Sequence, residues 1–235
     1  MILFLTSDTF RDRADRTDKI EMISDNGLID EMRNHFPCPC RALYFCLDLD
    51  GELVRDGFEY AGVRFESFIC LNSGNARQAR ELIGEANFII LGGGHTPTQN
   101  RFFADIALRE LLKDYDGVVW GISAGSMNCA DIVYAPPEDN GEAVDPEYKR
   151  FLTGLGLTKT AILPHYHYWK DRSLDGLKVI DDIILPDSMG RTFCFIADGS
   201  YILVKDGVGE LRGEAYVIRD GAIEQISSDG DTVML

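Results

Sequence analysis

Positively charged side chains and long apolar runs are both scarce in this sequence. Its 23 lysine and arginine residues stand against 39 aspartate and glutamate residues, so the formal net charge is −16 at pH 7. This charge argues against nucleic acid or an anionic membrane as a partner, because their phosphate groups would be repelled. No apolar run approaches the length of a membrane span, and the apolar residues 1–5 are too few for a signal peptide. We therefore expect a cytoplasmic protein.

Cysteine and histidine are also few, numbering six and four. Cys38 and Cys40 lack the spacing of a zinc ribbon and have no partner pair. His165 and His167 could ligate a metal together, but no third ligand stands at a useful spacing from them. We therefore expect free thiols in a reducing compartment, no metal and no cofactor.

Hydrophobic periodicity predicts alternating strands and helices in the first half of the chain. The pattern predicts an α/β fold, a doubly wound and mostly parallel sheet with helices on both faces. Because 235 residues form one sizeable core and no linker or repeat interrupts them, we predict a single domain over residues 1–235. The predicted strands cover 1–6, 41–49, 63–71 and 87–91, with a further strand from Val118. The predicted helices cover 18–36, with a break near Asn26-Gly27, and 75–86, 96–114 and 127–133.

The second half of the sequence shows a different pattern of predicted elements. Residues 134–150 read as a polar surface loop, 157–163 as a strand and 171–184 as a helix. Short alternating segments then predict antiparallel strands joined by Asp-Gly turns, at Asp206-Gly207 and Asp220-Gly221. These C-terminal strands are predicted over 192–196, 201–205, 213–219 and 222–227.

The most informative stretch is Gly121-Ile122-Ser123-Ala124-Gly125, which follows the buried strand from Val118. A strand, a G-x-S-x-G turn and a helix together are the context of a nucleophile elbow. A serine at such a tight turn needs small neighbours, and the helix that follows directs N–H groups toward a developing oxyanion. The alternative is a turn of small residues without any chemistry.

A nucleophilic serine requires a base and an acid that orients the base. His165 follows a predicted strand and is the candidate base, with His167 on the same side if this segment stays extended. Asp198 also stands at the end of a predicted strand and is the candidate acid. Three other carboxylates are alternatives by position only: Asp131, Asp139 and Asp145.

Three consecutive glycines follow the strand that ends at Leu91, and they allow a backbone to approach a ligand closely. The N–H of Ala124 and one from Gly93 or Gly94 could form an oxyanion hole. A phosphate-binding turn is the alternative, but the lysine of a P-loop is absent.

These motifs resemble the serine peptidase family of aspartyl dipeptidase (peptidase E) and cyanophycinase. The fold of that family is similar to that of class I glutamine amidotransferases. The resemblance spans most of the chain, and its order of serine, histidine and acid fits. It rests on Leu91-Gly92-Gly93-Gly94, Gly121-Ile122-Ser123-Ala124-Gly125, Pro164-His165-Tyr166 and Ile196-Ala197-Asp198-Gly199-Ser200.

The resemblance implies roles for particular residues. Ser123 would be the nucleophile, His165 the base and Asp198 the third member of the triad. Gly94 and Ala124 would donate to the oxyanion.

The resemblance also implies that Arg172 would hold an acidic side chain of the substrate. Gly93 and His95, at the glycine turn, are expected to line the substrate site. Because the chain is strongly acidic, only a local cation could hold such an anion. The alternative is that Arg172 pairs with Asp171, Asp175 or another surface acid.

Three features depart from the family pattern. His95 stands where asparagine is common, and Asp198 stands where dipeptidase E-like members commonly carry glutamate. The segment between His165 and Arg172 is short and aromatic.

Taken together, the residues predict a serine-type peptidase that hydrolyses short peptides, with an acidic residue as a further expectation. We expect a small peptide as its partner and a monomer or homodimer. An esterase of the α/β-hydrolase type fits less well, because its histidine comes last and 70 of the 235 residues follow His165. A catalytically silent binding module on the same scaffold is the other alternative. A glutamine amidotransferase would carry cysteine in place of Ser123.

Overall fold

The computed structural model of the protein describes residues 1–46 and 50–235. Its strands are β1 (Ile2–Thr6), β2 (Phe10–Arg13), β3 (Arg16–Met22), β4 (Cys40–Phe45), β5 (Phe65–Leu71), β6 (Phe88–Leu91), β7 (Val118–Ile122), β8 (Ile132–Tyr134), β9 (Phe151–Thr153), β10 (Ile162–Leu163), β11 (Ser173–Leu174), β12 (Leu177–Lys178), β13 (Thr192–Ile196), β14 (Tyr201–Lys205), β15 (Val208–Arg212), β16 (Ala215–Arg219), β17 (Ala222–Ser227) and β18 (Thr232–Met234). Its α-helices are α1 (Leu28–His35), α2 (Gly51–Tyr60), α3 (Ala79–Glu85), α4 (Thr96–Asp105), α5 (Leu108–Leu111), α6 (Ala124–Asn128), α7 (Tyr166–Trp169) and α8 (Leu185–Asp187).

The largest sheet has eight strands in the order β18-β15-β14-β1-β7-β6-β4-β5. The five strands from β1 to β5 in that order run parallel to one another, and β14, β15 and β18 are added antiparallel. A second sheet has the order β10-β13-β16-β17. The predicted α/β fold with a mostly parallel central sheet is therefore confirmed.

Apolar side chains on both faces of the large sheet form the core. In β1, Leu3 and Leu5 join the core on one face and Phe4 joins the other. Helices α3, α4, α5 and α6 contribute to the first core, and α1 and α2 to the second. Full burial of each large apolar side chain contributes on the order of 1.5–3 kcal/mol, so the two cores hold β1 and β7 rigidly in the middle of the sheet.

The predicted helix over residues 18–36 is wrong in its first part, where β2 and β3 form a hairpin. Met22 of β3 is opposite Phe10 of β2, and both are buried. Gly57 of α2 allows this arrangement, because a Cβ there would lie 2.6 Å from the Phe10 ring. Tertiary packing thus selects a strand, and the helix is limited to α1.

Three other predicted elements are shorter than expected. The helix predicted over 127–133 ends at Asn128, and the chain then forms strand β8. The strand predicted over 157–163 is limited to β10, and the helix predicted over 96–114 is interrupted by Ala107, whose φ is 53°. The strand predicted over 41–49 is observed as β4, and its last predicted residues lie outside the described ones.

Residues 171–184 differ most from the predicted helix. They begin with the hairpin of β11 and β12, which turns at Asp175 and Gly176 with φ values of 52° and 84°. A π-helical segment, Val179–Ile184, then leads into α8. The Asp-Gly turns at 206–207 and 220–221 are confirmed, because all four residues have φ between 50° and 79°.

The irregular loop expected over residues 134–150 is observed over 135–150, between β8 and β9. Among the described helices, none combines the length and the apolar character required to cross a membrane.

Candidate active site

The candidate site lies where three neighbouring parallel strands end. In the sheet register Thr6 of β1 is opposite Ile122 of β7, and Leu91 of β6 is opposite Gly121. The segments that follow these strands therefore leave the same edge of the sheet. This geometry brings the glycine turn after β6 beside Ser123, so that a Cβ on Gly93 would lie 3.7 Å from the Ser123 Cβ.

Ser123 occupies a strained turn between β7 and α6. Its φ of 51° and ψ of −113° lie outside the regions that L-residues favour, which costs on the order of 1–3 kcal/mol. The turn also needs its two glycines. A Cβ on Gly121 would be 2.8 Å from the Ser126 backbone, and one on Gly125 would be 2.0 Å from the Leu91 carbonyl oxygen.

The side chains of Ser123, His165 and Asp198 form one hydrogen-bonded chain. Ser123 Oγ lies 2.8 Å from His165 Nε2, and His165 Nδ1 lies 2.6 Å from Asp198 Oδ1. Because an ionised carboxylate only accepts, Nδ1 carries the proton and Nε2 is free to accept from the serine hydroxyl. Burial would raise the pKa of Asp198, but the hydrogen bonds from His165 and Ser7 hold it below its ordinary value.

Paired strands of the second sheet deliver the histidine and the acid. Leu163 of β10 is opposite Phe195 of β13 in parallel register, so the residues after both strands emerge together. His165 itself has a left-handed backbone, with φ 63° and ψ 44°, and α7 begins immediately after it. The three predicted triad residues therefore meet at the junction of the two sheets.

The predicted oxyanion donors belong to two neighbouring segments. Ala124 follows Ser123 directly as the first residue of α6, and Gly94 follows Gly93 in the glycine turn with a φ of 128°, a conformation open to glycine.

Ser123 and His165 line a cleft of about 240 Å³. The rest of its lining comes from the loop after β8, from α6, from the start of α4 and from the segment around α7: Thr96, Met127, Pro136, Glu138, Asp139, Leu163, Pro164, Tyr168, Trp169 and Arg172. We refer to this space as the serine cleft. Burial raises the pKa of the Glu138 carboxyl, which accepts a hydrogen bond from the Thr96 N–H.

Arg172 brings a cation to the serine cleft. Its guanidinium lies over the rings of Tyr168 and Trp169, at 4.6 Å and 5.2 Å from their centres, and Nη2 donates to the Glu138 carbonyl oxygen at 2.7 Å. Among the described residues Arg172 forms no salt bridge, and its buried Nε has no hydrogen-bond partner. Asp175, one of the alternative partners, instead accepts from the Gly141 and Ala143 N–H groups.

His95 uses both of its ring nitrogens in contacts close to the serine cleft. Its Nε2 lies 2.9 Å from Glu142 Oε1 and its Nδ1 lies 2.7 Å from Thr98 Oγ1. Glu142 in turn accepts from the N–H groups of Glu138 and Asp139. His95 thus holds the loop that forms one wall of the serine cleft.

The group with metal-ligand spacing in the described part of the chain is His95, Asp139 and Glu142, whose ligand atoms lie within 4.8 Å of one another. The hydrogen bonds of His95 and Glu142 already use the atoms that a metal would need. The contacts therefore favour a hydrogen-bonded cluster at this position.

His167 is not held beside His165. Residues 166–169 are helical and not extended, so His167 turns to Glu214, with 3.0 Å between Nε2 and Oε2. Two of the alternative acids are engaged elsewhere, since Asp131 pairs with Arg109 and Asp145 accepts from the N–H of Glu147. The third, Asp139, lines the serine cleft, whereas the acid hydrogen-bonded to His165 is Asp198.

Two residues near the triad escaped the sequence analysis. Ser7 follows β1 directly and donates a hydrogen bond to Asp198. The carboxyl of Asp8 lies close enough to His165 and Asp198 to interact with both, and burial raises its pKa. Both stand at a strand end, which is the signal that could have singled them out.

Comparison with known proteins gives the family. A solved structure of a candidate peptidase E protein from Listeria monocytogenes EGD-e is similar to this chain, with a TM-score of 0.54 and 15% identity over 96% of this chain and 98% of that one. This likeness shows the fold, that of the class I glutamine amidotransferases. No curated protein sequence matches the chain. The model of peptidase family S51 matches residues 51–211. Since that match covers more than half of the chain, the protein belongs to peptidase family S51, the family of peptidase E, and is a serine peptidase.

Proposed function

We propose that the protein hydrolyses short peptides through an acyl-enzyme on Ser123, with His165 as general base and Asp198 as the acid that orients it. The observation that carries this proposal is the unbroken chain from Ser123 Oγ through the imidazole to the Asp198 carboxylate, with links of 2.8 Å and 2.6 Å. Both distances are within the range of productive hydrogen bonds.

Each contact supports one step of acyl transfer. Ser123 Oγ attacks the peptide carbonyl carbon while its proton passes to His165 Nε2. The C–N bond then breaks and the same proton passes to the leaving amine. Water completes the cycle by attacking the acyl-enzyme, with His165 again accepting a proton and returning it to Ser123.

The oxyanion that forms in each tetrahedral intermediate requires donors that are already in place. We assign this role to the backbone N–H groups of Ala124, which follows Ser123 directly, and of Gly94 in the glycine turn after β6. The strained backbone of Ser123 supports the same assignment, because strain at a functional site holds a side chain in a position that a relaxed turn would not give.

The proposed substrate carries an acidic side chain that binds Arg172. Because Nη2 already contacts the Glu138 carbonyl, the unpaired Nε is the atom that a carboxylate would satisfy. Stacking on Tyr168 and Trp169 fixes the guanidinium plane, which favours recognition of a planar carboxylate. The small serine cleft restricts the substrate to a short peptide.

A panel of the dipeptides Asp-Leu, Asn-Leu and Ala-Leu tests the proposal. The wild type should cleave Asp-Leu best, Ser123→Ala should cleave none, and Arg172→Ala should lose the preference for the acidic residue. Arg191→Ala is the matched control, because Arg191 stacks on Phe151 outside the serine cleft. If the wild type shows no acidic preference, or if Arg172→Ala keeps it, the role of Arg172 is wrong. If no dipeptide is cleaved, a binding module becomes the better interpretation.

A further inference from the structure

Ser7 is a fully buried polar residue at the end of the central strand β1. It lies 158 positions from His165 and 191 positions from Asp198 in the sequence. The fold nevertheless brings its hydroxyl between these two residues. Ser7 is not one of the three residues proposed to carry out the reaction.

Ser7 is hydrogen-bonded to all three residues of the candidate triad. Its Oγ donates to Asp198 Oδ1 at 2.6 Å and accepts from the His165 backbone N–H at 2.7 Å. Its carbonyl oxygen accepts from the Ser123 N–H at 3.0 Å.

We propose that Ser7 is a positioning residue that fixes the base and the acid of this site relative to each other. The proposal rests on the proposed function, because a role in positioning presupposes that the triad reacts.

The first part of the argument concerns the backbone of His165. A left-handed conformation is unfavourable for a residue with a Cβ and persists only where its surroundings hold it. The hydrogen bond from the His165 N–H to Ser7 Oγ is one such restraint. It sets the point from which the imidazole reaches both Ser123 and Asp198.

The second part concerns the carboxylate. Ser7 Oγ and His165 Nδ1 both donate to the same oxygen, Oδ1 of Asp198. Because 48% of the Asp198 side chain is exposed, few other contacts restrain it. Two donors on one oxygen therefore fix the rotation of the carboxylate. They also share its negative charge, so each donor experiences less than the full charge.

This sharing predicts the direction of a pH effect. Removing the Ser7 hydroxyl leaves the whole charge of Oδ1 to the imidazole, which stabilises the imidazolium. Charged groups near this pair in the described structure include Asp8 on the segment after β1 and His167 on α7, and Glu138, Asp139 and Arg172 line the cleft with His165. The side-chain hydrogen bonds of Asp8 and His167 go to the Phe10 N–H and to Glu214. The acid limb of the reaction should therefore move to higher pH in Ser7→Ala.

Ser200→Ala is a matched control. Ser200 is also a buried serine, and its carbonyl oxygen accepts from the Ser7 N–H at 3.4 Å. Its hydroxyl has no hydrogen-bond partner in the described structure. Replacing it therefore removes the same atom from the same region without breaking a contact to the triad.

The experiment measures the rate at which a fluorophosphonate probe phosphonylates Ser123 in the whole protein across a range of pH; the Ser123 Oγ–P bond forms as the P–F bond breaks and fluoride leaves. We expect Ser7→Ala to lower the limiting rate by about 10-fold to 100-fold, since a small misplacement of catalytic groups has effects of this order. The probe concentration that gives half of the limiting rate should stay the same, and the acid limb should shift to higher pH. Ser200→Ala should match the wild type in all three quantities.

Two results would overturn the inference while the proposed function stands. One is a Ser7→Ala variant that reacts at the wild-type rate with an unshifted acid limb. The other is an equal loss of rate in Ser7→Ala and Ser200→Ala, accompanied by an equal fall in melting temperature, which would indicate a purely structural role. If the wild type itself does not react, the proposed function has failed. A titration of the ¹⁵N signals of the His165 ring provides the same test without a probe, and an unshifted midpoint in Ser7→Ala would again refute the inference.

Discussion

Replacement of Asp198 by asparagine separates catalysis from stability most clearly. The asparagine side chain has nearly the same shape, but it carries no charge and cannot stabilise an imidazolium. In a buried triad such a change lowers turnover by about 10⁴-fold, which corresponds to about 5.4 kcal/mol in the activation free energy. Since 48% of the Asp198 side chain is exposed, solvent screens part of this effect. We therefore expect a loss of about 10²-fold to 10³-fold.

The same substitution should have a small effect on folding. An ion pair with one exposed member typically contributes less than about 1 kcal/mol to the free energy of unfolding. The pKa of Asp198 is held below its ordinary value of 3.8, so the ionised carboxylate stabilises the folded state at pH values above 3.8. This contribution is lost as the pH falls through the lowered pKa of the folded state. The difference in unfolding free energy between the wild type and Asp198→Asn should therefore shrink in acid.

The assay combines two measurements on the same samples. Hydrolysis of a short peptide gives the rate, and urea unfolding at several pH values gives the free energy of unfolding. Asp145→Asn is the control, because Asp145 accepts from the N–H of Glu147 and does not contact His165. If Asp198→Asn loses no more activity than Asp145→Asn, the acid lies elsewhere and the reasoning is refuted.

Two further predictions concern the histidines and the serine turn. His165→Ala should abolish hydrolysis, whereas His167→Ala should keep most of it, and the reverse ranking of the two variants would identify His167 as the base. In the wild type the rate of hydrolysis should fall in acid as the base becomes protonated. Gly125→Ala should lower the free energy of unfolding by about 1–3 kcal/mol or more, because its Cβ would lie 2.0 Å from the Leu91 carbonyl oxygen. Gly84 lies on α3, and a Cβ there would have no atom within 4 Å, so Gly84→Ala should raise the free energy of unfolding by up to about 1 kcal/mol. Both glycine variants are measured by urea unfolding, and equal effects of the two substitutions would contradict this interpretation of the turn.

The features that could be predicted from the sequence depend on local geometry. The turn at Ser123 requires small residues on both sides, so its pattern is visible within five residues. His165 and Asp198 could be proposed because polar residues that follow buried strands collect at the sheet edge. The turns at 206–207 and 220–221 were equally accessible, since Asp-Gly is the local signature of a tight hairpin.

The features that the sequence analysis missed depend on tertiary contacts. Ile20 and Met22 fit a helical spacing as well as a strand, and the choice depends on how Phe10 packs against Gly57 of α2. Ser7 contacts His165 and Asp198, which are separated from it by 158 and 191 residues in the sequence, and no local pattern encodes such contacts. For the same reason the sequence alone left the partner of Arg172 open, and the structure resolves this by stacking it on Tyr168 and Trp169.

Mapping of a fluorophosphonate adduct tests the central claim most directly. The native protein should be labelled once, and the labelled peptide should carry the adduct on Ser123, because only a serine activated by a base reacts at a useful rate. Labelling should be absent from Ser123→Ala and strongly reduced in His165→Ala. An adduct on another residue, or no adduct under conditions that label a known serine hydrolase, would contradict the account.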